Sequence, residues 1–374
     1  MTISYKDSGV DIRLGDQVSQ ILYEAARQTW ANRSGRLGEV ITPFDDFTGI
    51  RMIDVGKLPA GTFLAMGFDG VGTKVEIAER LARHDTIAYD LFAMVCDDAV
   101  IRGGEPVLIG TILDVNTLGK ENDSFLEFIR KMAKGYCDAA REARVAVING
   151  ELAELGVRVS GFGPFNYNWG AGIVWFARKE RMFTGFEIEA GDTLVALQEK
   201  GFRSNGLSLV RRILSRKLGE DWHMQTWQGE NIGDFVLTPS RIYTRPVIDM
   251  TGGVEAEPRA TIHGLAHITG GGLPGKVGRI LKPKKLGAVI EEPFTPEDIV
   301  LYCQELGNVS DEEAYRTWNM GQGMVVVTPE PEAVIAIAKE HNIQAKTIGK
   351  VTGEPGISIV SQGLFQKNQL LRFV

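Results

Sequence analysis

Thr62-Phe-Leu-Ala-Met-Gly67-Phe-Asp69-Gly-Val-Gly-Thr-Lys74 is the stretch on which the fold turns. Residues 62–67 are apolar and few, as in a buried strand, and they run directly into a loop carrying one aspartate, two glycines and a lysine. A helix is predicted over Thr86–Ile101, stopped by Gly103-Gly104. Next come a strand at Pro106–Leu113, an amphipathic helix at Phe125–Ala143, a strand at Val145–Ile148 and a closing strand at Gly172–Ala177. Alternating strands and helices of this kind make an α/β unit. Upstream, Ser4–Ile12 reads as an extended lead, and Val18, Ile21, Leu22, Ala25 and Ala26 form the apolar stripe of a first helix.

The second half opens with a strand at Asp192–Leu197 and a helix at Ser208–Leu214. It closes with a strand at Met324–Thr328, a helix at Pro331–His341 and strands at Ala345–Val351 and Gly356–Val360. With 374 residues against roughly 150 per domain, two domains are expected, residues 1–177 and 178–374.

Composition narrows the function. Forty-one basic against 48 acidic residues leave a net charge of −7, and no dense Lys/Arg patch suggests nucleic acid as a partner. No run approaches the roughly 18 apolar residues of a membrane span. The start, Met1-Thr-Ile-Ser-Tyr-Lys-Asp7, shows no signal-peptide pattern, so a cytoplasmic location is expected. Cys96, Cys137 and Cys303 are odd in number and far apart, which suits buried reduced thiols. Glycine stands out at 44 residues, above the roughly 7% of average usage. The excess bunches at 67–72, 161–172, 270–275 and 321–323, where backbone could approach a ligand closely.

Several residues could carry chemistry. Gly67–Lys74 is no P-loop, because its last two positions are inverted relative to GxxxxGK[ST]. It still offers a carboxylate for a metal and a lysine for phosphate, although a plain turn with a solvated lysine fits too. Asp90 and Asp97 fall on one face of the predicted helix with Asp98 on its flank, among apolar neighbours. Acids so placed need Mg²⁺ or a protein partner, either Arg102 or the end of a neighbouring helix. Glu151 and Glu154 follow the strand at 145–148, at the strand end where α/β proteins bind ligands. Ser204-Asn205-Gly206 lies between a strand and a helix, and His263-Gly-Leu-Ala-His267-Ile-Thr269-Gly-Gly-Gly272 ends in a possible phosphate nest, or simply a flexible turn. His263 and His267, four apart, could share a helix face, and His267 could move a proton.

Taken together, Asp69-Gly-Val-Gly-Thr-Lys74, Arg83-His-Asp-Thr-Ile87, Ser204-Asn-Gly-Leu-Ser-Leu-Val-Arg211, Thr238-Pro-Ser-Arg-Ile-Tyr243, Ile268-Thr-Gly-Gly-Gly272 and Tyr315-Arg-Thr-Trp-Asn319 resemble the phosphoribosylformylglycinamidine cyclo-ligase (AIR synthetase) family. The likeness runs in order from about residue 5 to about residue 350. It implies an α/β (α+β) two-domain fold, an N-terminal mixed sheet with helices and a C-terminal α/β sandwich, in a homodimer. It implies ATP-dependent closure of formylglycinamidine ribonucleotide to aminoimidazole ribonucleotide, with Mg²⁺. Carried over by residue, Asp69, Asp98 and Glu151 would hold the metal. Gly70, Gly72, Thr73 and Lys74 would join them around ATP, Ser204, Asn205, Thr269, Gly270, Gly271 and Gly272 would touch the substrate, and Lys74, Asn205 and His267 would be catalytic. The chain departs from the family pattern at Tyr23, Asp97, Leu152, Asn166, Asn168, Arg203 and Met320. These changes leave two alternatives: a paralogue acting on another amide, or a nucleotide-binding regulator.

Overall fold

The computed structural model describes residues 11–42, 50–120 and 123–373. Most of the expected lead at Ser4–Ile12 lies outside them. Helix α1, Ile12–Thr29, is started by Asp11, whose carboxylate accepts from the backbone N–H groups of Arg13 and Leu14. It packs on helix α3, Leu126–Ala143, below the first sheet. That sheet holds β1 (Thr62–Gly70), β2 (Glu105–Val115), β3 (Ala146–Glu154) and β4 (Tyr167–Arg178), in the order β1-β4-β2-β3.

Between β1 and β2 runs α2, Ile87–Val100, which packs against β1, β4 and α3. All of its residues but Tyr89 and Asp98 are buried, so it is a core helix rather than an amphipathic surface one. The chain leaves the first sheet at Arg178 and enters the second at Thr193.

The second sheet contains β5 (Thr193–Gln198), β6 (Gly264–His267), β7 (Gly287–Ile290), β8 (Gln322–Thr328), β9 (Ala345–Thr352), β10 (Gly356–Val360) and β11 (Leu370–Phe373). Its order is β6-β8-β5-β9-β7-β10-β11, mostly antiparallel. Helices α4 (Leu207–Leu218), α5 (Thr244–Thr251) and α6 (Gly272–Leu281) connect its strands. Both sheets are mixed, in accord with the α/β (α+β) class. All three cysteines are buried and free, and no helix among the described residues is long and apolar enough to cross a membrane.

Two readings of the sequence are corrected by the fold. Asn149-Gly150-Glu151 does not end a strand, because β3 continues to Glu154. A register irregularity between Ile109 and Gly110 of β2 lets the Asn-Gly pair stay in the ladder. His263 and His267 share no helix, since residues 264–267 are the edge strand β6, paired with β8. An extended chain also returns to the same face after four residues, so the spacing alone did not discriminate.

Candidate active site

Asp69 lies near the end of β1 and Asp98 near the end of α2, and they sit close enough that the charge of one raises the pKa of the other. Burial is the larger cause for Asp69, opposed by a hydrogen bond from its neighbour Gly70 N–H at 2.7 Å. Asp98 Oδ1 accepts from His267 Nδ1 at 2.7 Å, and half of the Asp98 side chain is exposed. Burial raises the pKa of Asp98, but His267 and Lys276 outweigh it and hold the carboxyl below its usual range. Lys276, on α6, feels both carboxylates, while its own pKa is lowered chiefly by burial.

The glycine loop supplies the facing wall. Gly271 and Gly272 have φ of +94° and +59°, and a Cβ on Gly272 would lie 1.8 Å from the Tyr315 carbonyl oxygen. Only glycine fits there. Gly272 N–H closes the turn onto Thr269 O at 2.9 Å and leads into α6. Asn205 reaches this loop, because a Cβ on Gly270 would stand 3.4 Å from its Nδ2. Ser204 Oγ and Asn205 Oδ1 are buried with no hydrogen-bond partner. Thr73 Oγ1 meets Ser208 Oγ at 3.4 Å, which ties the loop after β1 to the start of α4. The structure therefore links Asp69, Asp98, His267 and Lys276 through charge and hydrogen bonds, sets Asn205 against the Gly270–Gly272 loop and ties Thr73 to Ser208, beside a cleft onto which the half-exposed Asp98 opens.

Three expected members behave differently. Lys74 is fully buried and does not face the cleft: its ammonium donates to Asp90 Oδ1 at 2.8 Å, Phe202 O at 2.9 Å and Thr238 O at 2.6 Å. All three protons are used, so no phosphate role remains for it in this arrangement. Glu151 does not join Asp69 and Asp98. It shares a sheet row with Ile112 and Gly170, one row on from Asp69–Ala171–Thr111 and on the alternate face. Two strands lie between β1 and β3, a separation of about 14 Å. Among the described residues no three His, Cys, Asp or Glu side chains gather closely enough to hold a metal ion. Gly70 N–H is already committed to Asp69.

His267 is the third. Its Nε2 lies 2.6 Å from Arg203 Nη2 and its Nδ1 faces Asp98, so both ring nitrogens are occupied and it has no free site for proton transfer. Burial, with Arg203 beside it, lowers its pKa to about 4. Asp97 is satisfied by protein: it accepts from Tyr243 N–H and Thr244 Oγ1, each at 2.9 Å, where α5 begins. Burial lifts its pKa to about 7 against the pull of Arg203 and these two bonds. Lys276 was missed by the sequence reading, although its place one helical turn beyond the glycine triplet was the available signal.

Family models for AIR synthase related proteins match residues 51–166 (N-terminal domain) and 189–362 (C-terminal domain). The phosphoribosylformylglycinamidine cyclo-ligase of Nitrosococcus oceani is 37% identical over 357 residues, covering 93% of this chain and 91% of that one. Among solved structures, thiamine-monophosphate kinase from Stenotrophomonas maltophilia aligns with a TM-score of 0.60 at 13% identity, over 93% of this chain and 97% of its own. The hydrogenase maturation protein HypE in complex with ATP aligns with a TM-score of 0.57 at 15% identity, over 87% and 88%. These two share the fold. On sequence, the chain belongs to the phosphoribosylformylglycinamidine cyclo-ligase family, whose members are also called AIR synthetases.

Proposed function

We propose that this chain closes formylglycinamidine ribonucleotide to aminoimidazole ribonucleotide at the expense of ATP, with Mg²⁺ held by Asp69 and Asp98. The observation that carries the reading is the meeting, across one cleft, of two carboxylates from one half with a glycine loop and Lys276 from the other. It agrees with the names of the relatives and with the ATP bound to HypE, a protein of the same fold.

The donor set fits the cation. Mg²⁺ takes hard oxygens and is commonly bound through one or two carboxylates plus substrate phosphates. Asp69 and Asp98 repel each other without it, and Asp98 is half exposed. When bound, the cation supplies charge neutralisation at the phosphates. Lys276 takes the part that the sequence reading gave to Lys74, presenting a cation to the cleft. Gly272 begins α6, whose N-terminus favours anions. Ser204 Oγ and Asn205 Oδ1, buried without partners, would orient the ribonucleotide.

The chemistry needs activation of a poor leaving group. Attack of the formyl amide oxygen on the γ-phosphorus forms an O–P bond and releases ADP. The amidine nitrogen then bonds to that carbon, the C–O bond breaks with loss of phosphate, and the nitrogen gives up a proton.

The working form in this reading is a cytoplasmic homodimer, each chain divided into two domains between residues 177 and 178. The outer face of the first sheet exposes Leu64, Met66, Phe68 and Ile112, with Phe68 77% exposed. An apolar face of this kind marks an interaction surface, and Glu151 shares it through its row with Ile112. Incubating the protein with formylglycinamidine ribonucleotide, ATP and Mg²⁺ should yield aminoimidazole ribonucleotide, ADP and phosphate in equal amounts. Binding of ATP with no product would overturn the catalytic reading and leave the regulator.

A further inference from the structure

Arg203 is buried and comes from the loop between β5 and α4, where neither the catalytic reading nor the ligand set uses it. Every terminal N–H of its guanidinium is directed. Nη1 donates to Glu199 Oε2 and, at 3.1 Å, to the Arg241 carbonyl oxygen. Nη2 reaches Asp97 Oδ2 at 3.4 Å and His267 Nε2 at 2.6 Å. Glu199 and His267 stand at the ends of β5 and β6, the two strands that flank β8, so the sheet sets the span that Arg203 bridges. The Arg203 guanidinium also lies over the Tyr243 ring at 5.4 Å. An arginine has only donors. The lone pair facing it must therefore be on His267 Nε2, which leaves the proton on Nδ1, aimed at Asp98 Oδ1.

We propose that Arg203 is a positioning residue: by donating to His267 Nε2, opposite the Asp98 carboxylate that takes the Nδ1 proton, it locks the ring in the Nδ1–H form and orientation that holds the Asp98 carboxylate toward the cleft. The relay runs Glu199, Arg203, His267, Asp98, from the buried core to a half-exposed acid. Its consequence for nucleotide binding rests on the reading of Asp98 as a Mg²⁺ ligand; the tautomer does not. Outer-shell partners of metal ligands commonly change affinity by about 10–100-fold.

The test has two arms. In the first, protein labelled with ¹⁵N-histidine is examined by long-range proton–nitrogen NMR, with His267→Asn assigning one of the five histidines. His267 is expected to carry its proton on Nδ1, and a wild-type spectrum with the proton on Nε2 overturns the proposal without any Arg203 variant. In the second, Arg203→Met is combined with Glu199→Gln so that the Glu199 charge is not stranded, while Asp97 keeps its bonds from Tyr243 N–H and Thr244 Oγ1. Asp98 is then expected to keep the proton on Nδ1, while the ring loses its support at Nε2, KM for Mg·ATP rises about tenfold and kcat changes much less. An unchanged KM overturns it. If the double variant does not fold, the wild-type spectrum decides. Failure of wild-type protein to bind Mg·ATP at all would sink the reading of Asp98 while leaving the tautomer result to stand or fall separately.

Discussion

Two cations from opposite directions reach the aspartates of α2, and they end differently. Lys74 meets Asp90 with both side chains wholly buried, and Ser240 Oγ and two backbone carbonyls complete the set. Arg203 starts equally buried against Glu199 and Asp97 but passes through His267 to Asp98, which opens on the cleft. The first is a closed clamp between the halves of the chain; the second is a support with a working end. Burial of the far partner, rather than the type of ion pair, separates structure from chemistry here.

Breaking the clamp should give the largest effect. Lys74→Met strands a buried carboxylate, and removing one partner of such a pair costs about 3–5 kcal/mol. Urea unfolding should show this loss, and Lys74→Met with Asp90→Leu should recover much of it, because two apolar residues leave no unpaired charge. A Lys74→Met protein of wild-type stability that has lost ATP binding would return the lysine to the phosphates and erase the contrast.

At the open end the signature reverses. Asp98→Asn should lower turnover about a hundredfold while moving the unfolding midpoint little, since the side chain is half exposed. Asp69→Asn should behave alike. Variants at Glu151 should spare the metal dependence of a single subunit's site, because that residue lies on another row and face of the sheet. A Mg²⁺ requirement shifted as strongly by Glu151→Gln as by Asp98→Asn would show that the acid reaches the ion in the assembled protein.

How much of this contrast could be read in advance depended on what decides each feature. β1, α2 and α3 were legible because apolar runs, helical spacing and Gly103-Gly104 act locally, and their ends fall within a few residues of expectation. The cleft's glycine loop was legible for the same reason. Which of Asp90, Asp97 and Asp98 would face solvent was not. Neighbours on one helix were separated by partners far along the chain: Lys74 and Ser240 for Asp90, Thr244 and Arg203 for Asp97. Lys74 looked free because its acceptors at Phe202 and Thr238 are backbone atoms, which no side-chain pattern announces. Arg203 stood out only as an unexpected residue type, and its role appears once β5 and β6 are placed on either side of β8.

The smallest expected effect concerns two histidines that look alike by pKa. His84 and His267 are each held near 4, chiefly by burial, with Lys131 adding to the first and Arg203 to the second. His84 sits among Phe128, Phe165 and Tyr167, with Nδ1 3.2 Å from the Tyr167 hydroxyl and Nε2 buried without a partner. A folded-state pKa below the unfolded 6.5 means that the unfolded chain takes up the proton first. The stability contributed by the neutral ring is therefore full above pH 6.5 and drains away as the pH falls toward 4. His84→Phe should fill the aromatic cluster and remove that drain, so that unfolding free energy falls less between pH 7 and pH 4.5, by about 2 kcal/mol. If His84 governs acid unfolding, its replacement leaves Mg·ATP binding at neutral pH unchanged. A His84→Phe protein with the wild-type pH slope would move the acid sensitivity away from His84 to the other groups of lowered pKa, among them His267 and Asp98 at the open end.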